Sequence, residues 1–268
     1  MCELLALSSA QPARLTFSLR ALAARGGPSG RSHDGWGVAF YQGSDVALFR
    51  EPAADSALVQ FLESEGSATD LAISHIRHAT QGGLSLANTQ PFVRELGGRT
   101  HVFAHNGDLP GIYRSDALEL GPFRPVGQPD SEHAFCALLS RLNSLHQAGG
   151  QPSLSGRLSV LTTFAAELRA LGPANFLCAD GGALFAHGDR RRQSASGRAE
   201  APGLWYLPRE CAASPAGTDD LAGVSLELAP RVSMLLASVP LSEEAWHPFA
   251  EGELLVVRLG RLVGDAQP

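Results

Sequence analysis

Apolar positions fall in two rhythms along this chain, and the rhythm breaks where glycine, asparagine and aspartate gather. From Cys2 to Ser8 the apolar residues run almost unbroken, which reads as a short buried strand. Leu15, Leu19 and Leu22 recur at helical spacing within Arg14 to Arg25, and Gly26-Gly27 supplies a stop, so a helix is expected there. Gly37 to Arg50 reads as a hairpin turning at Gln42-Gly43-Ser44-Asp45. A second helix is expected over Ala54 to Glu65, with Leu58, Phe61 and Leu62 on one face, followed by a strand from Leu71 to His78. Thr89 to His105 reads as another hairpin around Leu96-Gly97-Gly98-Arg99. The clearest helix spans Ser131 to Gln147, striped by Phe135, Leu138, Leu139, Leu142 and Leu145, with Asp130 or Ser131 available as N-cap. A further helix covers Ser155 to Leu171. The remainder reads as strands: Asn175–Cys178 and Ala183–His187 about an Asp-Gly-Gly turn, Gly203–Leu207, Val232–Ser238, and Glu253–Val263 about Leu259-Gly260. Strand-helix-strand units, then helices, then more strands suit an α+β arrangement of sheets covered by helices.

No repeat and no compositional break marks a linker, so residues 1–268 are expected to form one domain. Arg190 to Gly203, rich in Arg, Ser, Gly and Ala, reads as a mobile loop, and its Arg190-Arg191-Arg192 run as a solvated turn. With 44% hydrophobic and 18% charged residues the composition is that of a soluble globular protein. A net charge of −6 gives no support for a nucleic-acid or anionic-membrane surface, and no apolar run reaches the roughly 18 residues of a membrane span. The four cysteines form no C-x-x-C pair, and the start lacks a signal-peptide pattern; the expectation is reduced thiols in the cytoplasm. Every basic residue other than histidine is Arg, which excludes lysine-based chemistry.

Candidate chemistry starts at Cys2. Removal of Met1 would leave a thiol and an α-amino group on one residue, and an α-amine with a pKa of roughly 7.7–8.0 can take a thiol proton and return it. Three other segments bear on it. Arg77 and Thr80, in His75-Ile76-Arg77-His78-Ala79-Thr80-Gln81-Gly82, place a guanidinium and a hydroxyl at a strand end; the fork can hold a carboxylate or serve a structural salt bridge. His105-Asn106-Gly107 is a turn signal, yet an Asn amide and a Gly N–H can also meet at one oxygen and stabilise an oxyanion. Asp130, before Ser131-Glu132, can cap a helix or accept from a substrate ammonium. Together they supply a nucleophile with its own base, an oxyanion site and receptors for both charges of an amino acid, a set suited to cleaving the γ-amide of glutamine.

Six of the nine histidines lie between His33 and His133, which raises a metal site. His75 and His78 are three apart on a strand and point to opposite faces, while His101 and His105 lie about 13 Å apart at strand rise. A zinc centre is not expected.

Cys2, Asp34-Gly35-Trp36-Gly37-Val38-Ala39, Arg77-His78-Ala79-Thr80, His105-Asn106-Gly107 and Asp130-Ser131-Glu132 occur in an order that resembles the class II glutamine amidotransferases, and within them the stand-alone YafJ-like branch. The C-terminal Ala237-Ser238-Val239-Pro240-Leu241 and Gly252-Glu253-Leu254-Leu255-Val256-Val257 add to the likeness. The resemblance implies a four-layer αββα sandwich of the N-terminal nucleophile hydrolase type. It implies Cys2 as nucleophile, Asn106 and the Gly107 N–H as oxyanion hole, Arg77 with Thr80 on the substrate α-carboxylate, Asp130 on its α-ammonium, and no cofactor or metal. Gln81 and His78 depart from relatives that carry His and Trp there. Because the chain ends at Pro268, the expectation is glutamine hydrolysis for a separate ammonia-accepting protein partner. The alternatives are hydrolysis of another γ-glutamyl small molecule of thiol metabolism, such as glutathione or an ergothioneine precursor, and a non-catalytic interaction module on the same fold. Retention of every matched position argues against the last.

Overall fold

The computed structural model describes residues 2–13, 35–52, 68–77, 83–147, 150–193, 196–211, 219–221, 224–226 and 231–266. Strands dominate. In chain order they begin with β1 (Glu3–Ala13), β2 (Trp36–Gln42), β3 (Asp45–Glu51), β4 (Thr69–Ile76), β5 (Phe92–Leu96) and β6 (Arg99–Gly107). Two helices follow, α1 (Asp130–Gln147) and α2 (Leu154–Leu171), then β7 (Ala174–Ala179), β8 (Leu184–Gly188), and the short pair β9 (Arg191–Arg192) and β10 (Ala199–Glu200). The chain closes with β11 (Trp205–Cys211), β12 (Asp219–Leu221), β13 (Val224–Leu226), β14 (Arg231–Ala237), β15 (His247–Pro248), β16 (Glu253–Arg258) and β17 (Arg261–Ala266).

The main strands assemble into two antiparallel sheets, one of seven strands ordered β15-β11-β14-β1-β4-β2-β3 and one of six ordered β17-β16-β8-β7-β6-β5. Side chains alternate across a strand, so each sheet has two faces to bury. Leu4 and Ala6 of β1, Ile73 of β4, Val102 and Ala104 of β6 and Leu177 and Ala179 of β7 share one core between the sheets. Leu5, Leu7, Val38, Phe40 and Ile76 pack on the far face of the seven-stranded sheet. The far face of the six-stranded sheet meets α1 and α2, where Phe103 stacks on Phe135 at 5.3 Å and packs against Phe164 and Phe176.

The turns are chemical choices. Gly97 (φ 62°) and Gly98 (φ 77°) both occupy the left-handed region that a two-residue hairpin turn demands, and they join β5 to β6. Helix α2 opens on Ser153, whose hydroxyl accepts from Gly156 N–H, and stops at Gly172.

Several expectations are corrected. The hairpin expected from Thr89 has its first strand start only at Phe92: Arg50 takes the Thr89 carbonyl, the Gln90 side chain is spent on the His105 backbone, and Pro91 has no N–H for a ladder. Arg191, expected in a solvated turn, is instead buried against Glu3; within 190–203, Arg191–Arg192 and Ala199–Glu200 pair as β9 and β10. The helices expected at 14–25 and 54–65 lie outside the described residues. No described helix is long and apolar enough to cross a membrane.

Candidate active site

Strand alternation brings the candidate residues to one end of the sandwich. Register pairs Glu3 with Ile76, so one further step sets Cys2 across from Arg77. Cys2 keeps step with Leu4 and Ala6, and Arg77 with Ile73, residues that face the other sheet. From that sheet comes Asn106, in step with Val102 and Ala104. Its amide Nδ2 donates to the Cys2 carbonyl at 2.6 Å, closing a contact between residues 104 positions apart. Cys2 is half-buried, and Arg77 is buried with its backbone N–H on the Gly35 carbonyl (2.8 Å) and its Nη1 on the Gly83 carbonyl (3.2 Å).

The backbone that carries Asn106 is held from several sides. Asn175, its neighbour on β7, donates to the Asn106 carbonyl (3.2 Å) and the Arg190 carbonyl (2.9 Å) and accepts from Asp189 N–H (2.7 Å). Gln90 clamps both backbone groups of His105, accepting from its N–H at 2.6 Å and donating to its carbonyl at 3.1 Å. Gly107 tolerates no side chain, since a Cβ there would lie 2.0 Å from the Pro173 carbonyl oxygen.

On the opposite face of β6, His105 Nδ1 lies 3.0 Å from the Ser131 hydroxyl at the start of α1. Asp130 does not cap the helix through the Glu132 and His133 amides, which donate to the Pro129 carbonyl instead. Its Oδ1 takes the adjacent Ser131 N–H (2.7 Å) and its Oδ2 takes the Leu109 N–H (2.8 Å), so it is tied to the loop just after Asn106-Gly107. Cys2, Arg77 and Asn106 therefore meet at the sheet ends, and Asp130 joins them through the 107–109 loop. Thr80 lies outside the described residues, as do His78 and Gln81.

Burial lowers the pKa of His105 and so favours its neutral form, against the opposing pull of Asp130 and Asp108. His187, two strands across, is fully buried and pushed down to about 4, first by burial. Its folded value lies below the unfolded 6.5, so its stabilising contribution is complete above pH 6.5 and lost as pH falls toward 4. Urea unfolding is expected to show about 2 kcal/mol less stability at pH 5 than at pH 7 from His187 alone, and His187→Leu is expected to shrink that difference.

One part of this end of the molecule went unrecognised in the sequence. Glu3, adjacent to Cys2 and fully buried, is paired with buried Arg191 at 2.9 Å, and Arg191 Nη1 also donates to the Ser238 carbonyl at 2.5 Å. Ser238 in turn accepts the Leu4 N–H through its hydroxyl (2.9 Å) and donates its own N–H to the Leu4 carbonyl (3.0 Å). Burial raises the Glu3 pKa, and the guanidinium opposes that shift. The sequence signal was an acidic residue inside an apolar start and an arginine run far downstream, with nothing in their spacing to link them.

Two stacked antiparallel sheets, helices on the outer face of the six-stranded one and a cysteine at the head of a central strand form an α+β sandwich of the N-terminal nucleophile hydrolase type, and comparison with known proteins agrees. A sequence profile of the class-II glutamine amidotransferases matches residues 1–268, and the chain belongs to that family. It is 39% identical over 193 residues to YafJ of Escherichia coli (strain K12), a protein provisionally assigned to the glutamine amidotransferases, covering 70% of this chain and 72% of YafJ. The 2.0 Å crystal structure of a Pseudomonas aeruginosa PA01 protein predicted to be a glutamine amidotransferase superposes with a TM-score of 0.68 at 33% identity, over 98% of this chain and 100% of that one. The glutamine phosphoribosylpyrophosphate amidotransferase of Bacillus subtilis, 16% identical with a TM-score of 0.62, shares the fold over 99% of this chain and 49% of its own.

Proposed function

We propose that this protein hydrolyses the γ-amide of glutamine in the cytoplasm through a thioester on Cys2, and that it supplies the ammonia to a separate protein. The observation that carries this reading is the Asn106 amide on the Cys2 carbonyl, with Arg77 in register beside Cys2.

Met1 must first be removed, since only then does Cys2 own a free α-amine. That amine takes the thiol proton, and the thiolate attacks the γ-carbonyl carbon. The carbonyl π electrons move onto oxygen, and the Asn106 amide and Gly107 N–H stabilise the resulting oxyanion. Collapse breaks the C–N bond, the α-ammonium returns its proton, and ammonia departs. Water then adds to the thioester, releasing glutamate and restoring the thiol. Arg77 holds the α-carboxylate and Asp130 the α-ammonium, with Thr80 assisting Arg77.

A second reading, a larger γ-glutamyl substrate, draws support from Leu84, Leu86, Tyr113 and Val126. These apolar side chains are exposed on segments bonded to the Arg77 and Asp130 side of the site. A panel of glutamine, glutathione, γ-glutamylcysteine and γ-glutamyl sulfoxides separates the two. Glutamine is expected to give the highest kcat/KM. A peptide preferred by tenfold or more would replace the amidotransferase reading with that of a γ-glutamyl peptide hydrolase.

A further inference from the structure

The two groups assigned to the substrate's charges sit on different parts of the chain, Arg77 after β4 and Asp130 at the head of α1. One side chain bridges the segments that hold them. Asn88 closes the short 3-10 turn Leu86–Asn88 and is buried. Its Nδ2 donates to the Gly83 carbonyl at 3.0 Å, the same oxygen that receives Arg77 Nη1 at 3.2 Å. Its Oδ1 accepts the Gln128 N–H at 3.0 Å, two residues before Asp130.

The contact is built for this geometry. Gly127 passes so close that a Cβ there would lie 2.4 Å from the Ala87 carbonyl and 2.6 Å from Asn88 Oδ1. The far side of the 126–128 segment is fastened by Tyr113 Oη on the Gln128 carbonyl (2.7 Å) and by Gly127 N–H on Glu132 Oε2 (2.6 Å). A side chain at 88 needs a donor and an acceptor on one short planar group to serve both neighbours, and Asn supplies both.

We infer that Asn88 is a positioning residue that sets the spacing between the carboxylate-binding and ammonium-binding ends of the site. It acts on recognition of the amino-acid end of the substrate and leaves bond breaking at the γ-carbonyl to Cys2 and Asn106. The inference rests on the proposed assignment of Arg77 and Asp130 to the two substrate charges.

The test compares glutamine with 4-carbamoylbutanoate, which keeps the carboxylate and amide but lacks the α-amino group. In Asn88→Ala, KM for glutamine is expected to rise roughly tenfold with kcat changed less than about threefold, the loss of one or two hydrogen bonds in substrate binding. The wild-type preference for glutamine over the deamino compound is expected to shrink severalfold, because a displaced Asp130 no longer rewards the ammonium. An equal fall for both substrates, or an unchanged KM, overturns the inference and leaves Asn88 a merely structural residue. Should Asn88→Ala fail to fold, Asn88→Asp, which keeps the acceptor and loses the donor, is read by the same two ratios. Wild-type protein that turns over neither glutamine nor any γ-glutamyl compound removes the parent reading and this one together. Wild-type turnover with unaltered ratios in the variant removes this one alone.

Discussion

Cys2→Ala is expected to lower glutamine turnover by at least about 10⁴-fold while the protein still folds. The sulfur is the only protein atom in the proposed scheme that bonds to substrate carbon, so its loss removes the thioester route rather than weakening it. The remaining oxyanion donors and charge receptors bind glutamine but give water no activated electrophile. Folding is expected to survive because Cys2 lies ahead of β1 and is only half-buried, and its contact with Asn106 uses the backbone carbonyl, which alanine keeps. A thermal melt close to wild type beside the lost activity separates chemistry from stability. Turnover within tenfold of wild type would move the nucleophile elsewhere.

Asn106→Ala is the second large effect, with kcat expected to fall about 10²- to 10³-fold and KM to change far less. Removing one preorganised oxyanion donor typically has that consequence, since the donor matters most when charge develops on oxygen. This substitution isolates the amide well. The bonds that hold the local backbone, from Asn175 to the Asn106 carbonyl and from Gln90 to both backbone groups of His105, do not involve the Asn106 side chain. The variant does lose the amide bond to the Cys2 carbonyl, so part of the fall reflects a less fixed nucleophile. Steady-state kinetics on glutamine decides it. A rise in KM with kcat intact would assign Asn106 to substrate binding instead.

Much of this arrangement was legible in the sequence because it rests on local signals. Gly97-Gly98 marked the β5–β6 hairpin and the Phe135-to-Leu142 stripe marked α1, whereas the meeting of Cys2 and Asn106 from facing sheets is visible only in the fold. What stayed hidden depends on contacts far apart in the chain. Glu3 and Arg191 are 188 residues apart, and a charge near a strand end or in a polar segment reads as solvated until the partner is seen. Asn88 drew no attention and Gln90 was read only as part of a hairpin, because their side chains satisfy backbone groups instead of forming a motif. The strand expected from Gly203 starts at Trp205. A Cβ at 203 would lie 1.7 Å from Asn175 Oδ1, so that glycine serves a close approach to the site's scaffold rather than a strand start.

The central claim, a processed N-terminal Cys2 that takes up the γ-glutamyl group, is tested most directly by intact mass and peptide mapping after exposure to a glutamine-mimicking diazoketone, with Cys2→Ala alongside. The account predicts a wild-type mass lacking Met1, one covalent adduct mapped to Cys2, and no adduct on Cys2→Ala. Full glutamine turnover by protein that retains Met1, or an adduct that persists in Cys2→Ala, would contradict it.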